Sequence, residues 1–171
     1  MEKGILGIDP GLGGAAVLLS RDKKIIDKFI MPTVDKQLNL FALYEMLGNL
    51  KDRVEIAYLE YVSSRPLQSA PATFKFGRVY GAIEAMLVAH KISYTLVTPK
   101  KWTAKILEGI EKTDNPKDRN RIAIMRLFPG IDFRATERCR VSHSGLVDAC
   151  LIASYGLRVQ NGISQGDRKA V

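Results

Sequence analysis

The sequence predicts an α/β domain in which one five-stranded mixed sheet, three strands antiparallel and the later ones parallel, is flanked by helices. Three observations carry this reading. Short apolar runs rich in β-branched residues come first, separated by Gly, Pro and polar turns. After them, stretches of helical period alternate with further strand-like runs. At 171 residues and 46 % hydrophobic content, the chain can bury the core of one such domain.

The elements follow in order. Residues 4–9 (GILGID) read as a buried strand and 14–20 (GAAVLLS) as the next. Pro10, Gly11, Leu12 and Gly13 supply the turn chemistry between them. Residues 25–32 (IIDKFIMP) form a third strand after the polar turn RDKK, stopped by Pro32, which gives an antiparallel meander. Residues 35–50 place apolar side chains near helical spacing, with Asp35 as the expected N-cap. Residues 54–62 (VEIAYLEYV) are a strand ending in a lone acid, Glu60.

Residues 63–73 hold two prolines and several small polar residues and read as a loop. The helical pattern of 74–90 contains Gly77 and Gly81, four apart. A short strand at 92–99 is closed by Pro99, and 100–110 is a short helix. The charged run 111–120 leads into a helix at 119–130; 131–144 is basic and irregular; 145–162 is a strongly apolar helix. There is no internal repeat, low-complexity tract or linker, so residues 1–160 are expected to form a single domain, with 161–171 as a flexible tail.

The charge narrows the partner. Lys and Arg number 26 against 18 Asp and Glu, a net charge of +8. A surplus of that size points to a polyanion, nucleic acid before an acidic membrane surface. Cys139 and Cys150 have no Cys-x-x-Cys spacing, which argues against a disulfide scaffold or a thiolate zinc site. No apolar run approaches the ~18 residues of a membrane span, and no secretory pattern opens the chain. The expectation is a soluble cytoplasmic protein with no membrane partner.

Three acids stand in apolar surroundings: Asp9 at the end of the first strand, Glu60 at the end of the fourth, and Asp148 in LVDACLIA. Taken singly, each has an ordinary explanation as a turn residue, a strand-end charge or a helix-start acid. Together they suggest chemistry. Buried carboxylates repel one another unless a cation compensates, and Mg²⁺ or Mn²⁺ takes oxygen ligands. Two such ions held by carboxylates clamp the attacking and leaving oxygens of a phosphodiester. The glycines beside Asp9 are expected to leave room for a phosphate and a metal. In a basic protein that combination suggests a nuclease.

At this point the residues match a family. GIDPGLGG, YLEYV, FKFGRVYGAIEAML, VTPKKW, RLFPG and HSGLVDACLIASYG occur in that order, spanning roughly residues 4–158. This resembles the RuvC-type Holliday-junction resolvases, in their compact bacteriophage and organelle branch. The resemblance implies an RNase H-like fold and a homodimer that cuts two opposed strands of a four-way DNA junction. It implies two Mg²⁺ or Mn²⁺ per site, with 5′-phosphate and 3′-hydroxyl products, and no small-molecule substrate. Location would follow the source: a bacterial or phage-infected cytoplasm, or an organelle. Asp9, Glu60 and Asp148 match the family's acids. A further ligand, acid or histidine, usually precedes the last Asp; here His143 and Ser144 stand in that segment and no acid does. His143 is the preferred fourth member, as ligand or as base for the attacking water, with Ser144 as the helix N-cap.

Basic residues expected on the junction are Lys75, Lys100, Lys101, Lys105, Lys117, Arg119 and Arg121. Arg65, Gln68 and Phe74, just after Glu60, are expected to reach the junction centre, where an aromatic ring can stack on or wedge between bases. The resemblance places the 74–90 helix at the dimer interface, through Phe76, Gly77, Tyr80, Gly81 and Glu84. Trp102, the only tryptophan, is read as a packing residue. Three other functions compete. A non-cleaving junction-binding protein rests on the missing acid beside His143. A related nuclease could act on flaps or hybrids. A sugar-kinase or actin-like ATPase shares the opening strand–turn–strand, but needs a second phosphate loop that 171 residues lack.

Overall fold

The structure, a computed structural model, describes residues 2–62, 69–113 and 115–167, with side chains through residue 162. Its central sheet has five strands: β1 (Gly4–Asp9), β2 (Ala15–Ser20), β3 (Ile25–Ile30), β6 (Val54–Glu60) and β7 (Tyr94–Val97), in the order β3-β2-β1-β6-β7. β1 pairs antiparallel with β2, and β2 with β3, so the meander is present. β1 and β6 pair parallel, as do β6 and β7. Each parallel step needs a crossover, and the intervening helices supply it.

β1 lies at the centre of the sheet. Its side chains alternate between two cores. Ile5 joins Val17, Leu19 and Tyr58 against one helical layer. Leu6 and Ile8 join Leu18, Ala57 and Leu59 against the other. The second face is covered by α1 (Leu40–Leu50) through Leu43, Leu47 and Leu50, and by α2 (Ala70–Ala89) through Val79, Ile83 and Leu87. The first face is covered by α3 (Pro99–Ile106), α4 (Pro116–Leu127) and α5 (Ser144–Asp167). α5 lies against β1 at backbone distance. A Cβ on Gly7 would stand 2.1 Å from the Ala149 carbonyl oxygen and 2.4 Å from the Ala153 nitrogen, so only glycine admits the helix there. Among the described residues no helix is long and apolar enough to cross a membrane.

Three helix starts differ from expectation. Residues 33–38 form a small hairpin of β4 (Thr33–Val34) and β5 (Gln37–Leu38) instead of the start of α1. Asp35 and Lys36 occupy its turn with φ of 48° and 58°. An N-cap residue needs an extended backbone, so Asp35 does not cap; Asn39 does, accepting from the Ala42 amide at 3.1 Å. α2 begins at Ala70, within the segment expected to be a loop. Ser69 caps it and Pro71 sits in its first turn, where the missing N–H is harmless. α4 begins at Pro116 for the same reason, capped by Asn115, which accepts from the Lys117 amide at 3.0 Å.

Candidate active site

The sheet brings the acids together at one end. β1 and β6 are adjacent and parallel, with Ile8 opposite Leu59, so Asp9 and Glu60 close neighbouring strands at their carboxyl ends. In open α/β sheets that edge is where ligands bind. The third acid arrives on α5. A Cβ on Gly145 would meet the Gly13 carbonyl oxygen at 2.6 Å and the Gly14 carbonyl carbon at 2.8 Å, so the helix starts in contact with the β1–β2 turn. Asp148 follows within the first turns of that helix. Gly145 is therefore the glycine that admits α5 to the turn, while a Cβ on Gly13 would meet no atom within 4 Å and one on Gly11 only the Phe76 ring at 4.0 Å, so the space beside those two glycines is open.

The electrostatics record the convergence. The Asp9 carboxyl is pushed up to about 8, first by burial, then by Glu60 and Asp148; Lys117 opposes the push. Burial also raises Asp148, against the Asn120 hydrogen bond and Lys117. Lys117 occupies the first turn of α4 and acts on both acids.

Two neutral donors hold the outer acids. The Trp102 indole Nε1 donates to Glu60 Oε1 at 2.7 Å. The Asn120 amide Nδ2 donates to Asp148 Oδ1 at 2.7 Å. Sequence reasoning assigned Trp102 to packing and did not single out Asn120. Trp102 is indeed buried, at 2 % exposure, but its N–H is directed at an acid.

Among the described residues, no three His, Cys, Asp or Glu side chains stand close enough to enclose an ion as they are. The donor chemistry nevertheless fits Mg²⁺ or Mn²⁺. The set is all carboxylate, two members are fixed by N–H donors, and burial, then Glu60 and Asp148, disfavour the charge on Asp9 in a way a cation would offset. Like-charged oxygens stay apart until a cation draws them together.

His143 caps α5. Its carbonyl accepts from the Val147 amide at 3.1 Å, and its Nδ1 accepts from the Leu146 amide at 3.3 Å. Those are the two bonds of an N-cap, so the cap is His143 and Ser144 is the first helical residue, the reverse of the expected assignment. Burial lowers the His143 pKa, favouring the neutral ring. With Nδ1 accepting, the ring hydrogen belongs on Nε2.

The residues expected on DNA divide. Lys100 and Lys101 are exposed in the first turn of α3, which follows β7 directly beside Glu60, and Lys105 is exposed near the end of that helix. Lys117 lies beside the acids. Arg119 faces another way: its guanidinium donates to the Leu107 and Ile110 carbonyls and fastens the α3–α4 connection. Arg121 pairs with Asp118 at 3.0 Å. Phe74, 70 % exposed, and Lys75 line a cleft of about 520 Å³ with Leu12, Gln37 and Arg78. Arg65 and Gln68 lie outside the described residues.

On α2, Gly77 and Gly81 are exposed, and a Cβ added at either would meet no atom within 4 Å. Phe76 and Tyr80 pack beside them with tilted rings, centroids 6.1 Å apart. Glu84 accepts from the Tyr94 hydroxyl at 3.2 Å.

No protein-family model and no curated relative matches the sequence. Solved structures do. RuvC of T. thermophilus in complex with a Holliday junction substrate superposes with a TM-score of 0.67 over 94 % of this chain and 96 % of that one, at 14 % identity. A second T. thermophilus RuvC structure gives 0.62 over 92 % and 96 %, at 16 % identity. The sheet order, the helical layers and this end-to-end superposition agree: the chain has the RNase H-like fold of the RuvC-type Holliday-junction resolvases.

Proposed function

We propose that the chain is a metal-dependent endonuclease that resolves four-way DNA junctions as a homodimer. The observation that carries this is the coupling of Asp9 to Glu60 and Asp148 at the carboxyl end of the sheet. The RuvC fold, known bound to a junction in one of its members, supports the choice of substrate. Asp9, Glu60 and Asp148 would hold two Mg²⁺ or Mn²⁺. When bound, such a pair supplies an activated water and offsets charge on the phosphate under attack.

The chain's own residues do the rest. Trp102 and Asn120 hold two of the carboxylates in place. Lys117 adds positive charge beside Asp9 and Asp148, where the scissile phosphate would sit. His143, neutral with its hydrogen on Nε2, is disposed to donate a hydrogen bond toward a departing oxygen. This differs from the ligand or base role read from the sequence. Lys100 and Lys101 contact phosphates, and Phe74 reaches the junction centre from the rim of its cleft. The exposed face of α2 around Gly77 and Gly81 meets the second copy.

A synthetic four-way junction tests the reading. Wild type should nick two opposed strands in Mg²⁺ or Mn²⁺, leaving 5′-phosphates, and Asp9→Asn should bind the junction without cutting it. Binding without cleavage by wild type in either ion would refute the enzyme and leave a junction-binding protein. Faster cutting of flaps or RNA–DNA hybrids would move the substrate class.

A further inference from the structure

We propose that Trp102 is the positioning residue of Glu60, holding its carboxylate in the orientation that receives a divalent cation; this rests on the metal-site reading above. The geometry follows from the sheet. Glu60 pairs with Val97 on β7, and the Tyr61 amide donates to the Val97 carbonyl at 2.8 Å. The chain then turns at Thr98 into α3, with Pro99 opening the helix. Trp102 sits one turn in, and its amide donates back to the Thr98 carbonyl at 3.3 Å. The first turn of α3 is thereby fixed directly across from Glu60.

The indole is 2 % exposed and packs in the core with Ile106, Val97 and Val147. A buried indole N–H requires an acceptor, and this one finds Glu60 Oε1 at 2.7 Å. The identity of the donor matters. A lysine or arginine in its place would neutralise Glu60 and compete with a metal. An indole N–H fixes the carboxylate while leaving its charge in place, which is how outer donors tune metal ligands. Asn120 stands in the same relation to Asp148.

The test is Mn²⁺ affinity by calorimetry on the full chain, with circular dichroism to confirm folding. Trp102→Phe removes the N–H and keeps an aromatic ring. It should weaken Mn²⁺ binding about 10–100-fold, the usual effect of losing an outer partner of a metal ligand. Glu60→Gln should weaken binding too, and adding Trp102→Phe to it should change nothing further. A folded Trp102→Phe protein that binds Mn²⁺ as tightly as wild type would overturn the proposal. So would an equal loss in the Glu60→Gln background, which would mark a purely structural effect. Wild type that binds no Mn²⁺ at all would instead refute the metal site itself.

Should Trp102→Phe fail to fold, wild type carries its own reporter, since Trp102 is the only tryptophan in the chain. Its emission should shift saturably with Mg²⁺, a diamagnetic ion, and stay still in Glu60→Gln. Metal binding seen by calorimetry with no change in emission would overturn the proposal.

Discussion

Gly145→Ala tests directly whether the docking of α5 sets the geometry of the site. The new Cβ would stand 2.6 Å from the Gly13 oxygen, 2.8 Å from the Gly14 carbonyl carbon and 2.9 Å from the Gly14 Cα. All three obstacles are backbone, so no rotamer change relieves them. To regain ordinary contact at 3.4 Å the start of α5 must retreat by about 0.8 Å. Two effects on stability oppose each other. Alanine favours a helix over glycine by up to ~1 kcal/mol, and overpacking costs about 1–3 kcal/mol. With the full helix gain the net loss is about 0–2 kcal/mol, or up to roughly 4–8 °C in Tm for a domain of this size. The protein remains folded. The effect on activity is larger, because Asp148 rides on the displaced helix; a shift approaching 1 Å in a positioning element costs on the order of 10²-fold in rate. Thermal unfolding and single-turnover cleavage of a four-way junction in saturating Mg²⁺ measure the two effects side by side. A folded variant that cleaves at the wild-type rate would refute the argument that this contact places Asp148.

Three further outcomes are expected. The folded Asp9 carboxyl, at about 8 against an ordinary 3.8, binds its proton more tightly than the unfolded one, so metal-free stability falls as pH rises between those values. Melting in EDTA across that window should show the fall, and Asp9→Asn should flatten it; Mg²⁺ should restore stability at the alkaline end by favouring the ionised acids. His143→Asn keeps a cap acceptor at the start of α5 but removes the imidazole, so Tm should hold while cleavage drops about 10²–10³-fold if the Nε2–H stabilises a departing oxygen; equal cleavage would confine His143 to capping. Gly77→Ala with Gly81→Ala fills open space on a helix of the single chain and should stabilise the monomer by about 0.5–1 kcal/mol per site; sedimentation should show weaker self-association, and an unchanged dimer would place the interface elsewhere.

The strands were legible because each is a short apolar run between turn residues, and the cores confirm the alternation of Ile5, Leu6 and Ile8 between faces. Asp9, Glu60 and Asp148 could be picked out only together, because each alone has an ordinary explanation while three such acids in apolar surroundings of a basic chain do not. The helix starts were harder. Pro71 and Pro116 look like breakers, yet a first turn accepts proline. Asp35 looks like a cap until its left-handed backbone is known. The partners of the acids were hidden by distance along the chain. Trp102 meets a residue 42 positions earlier and Asn120 one 28 positions later, and no local pattern records either bond. His143 is the intermediate case: its cap is local, but two adjacent residues could each have made it.

The helix α5 carries Asp148 and also packs on β1, β2 and β6. This has a consequence for synthesis on the ribosome. Asp9 and Glu60 emerge before α5 and can pair their strands, but the third acid is absent until α5 itself has been made. On the proposed activity, a nascent or truncated copy lacking α5 cannot cut. On that activity, competence to cleave would arrive only when α5 docks on the assembled sheet.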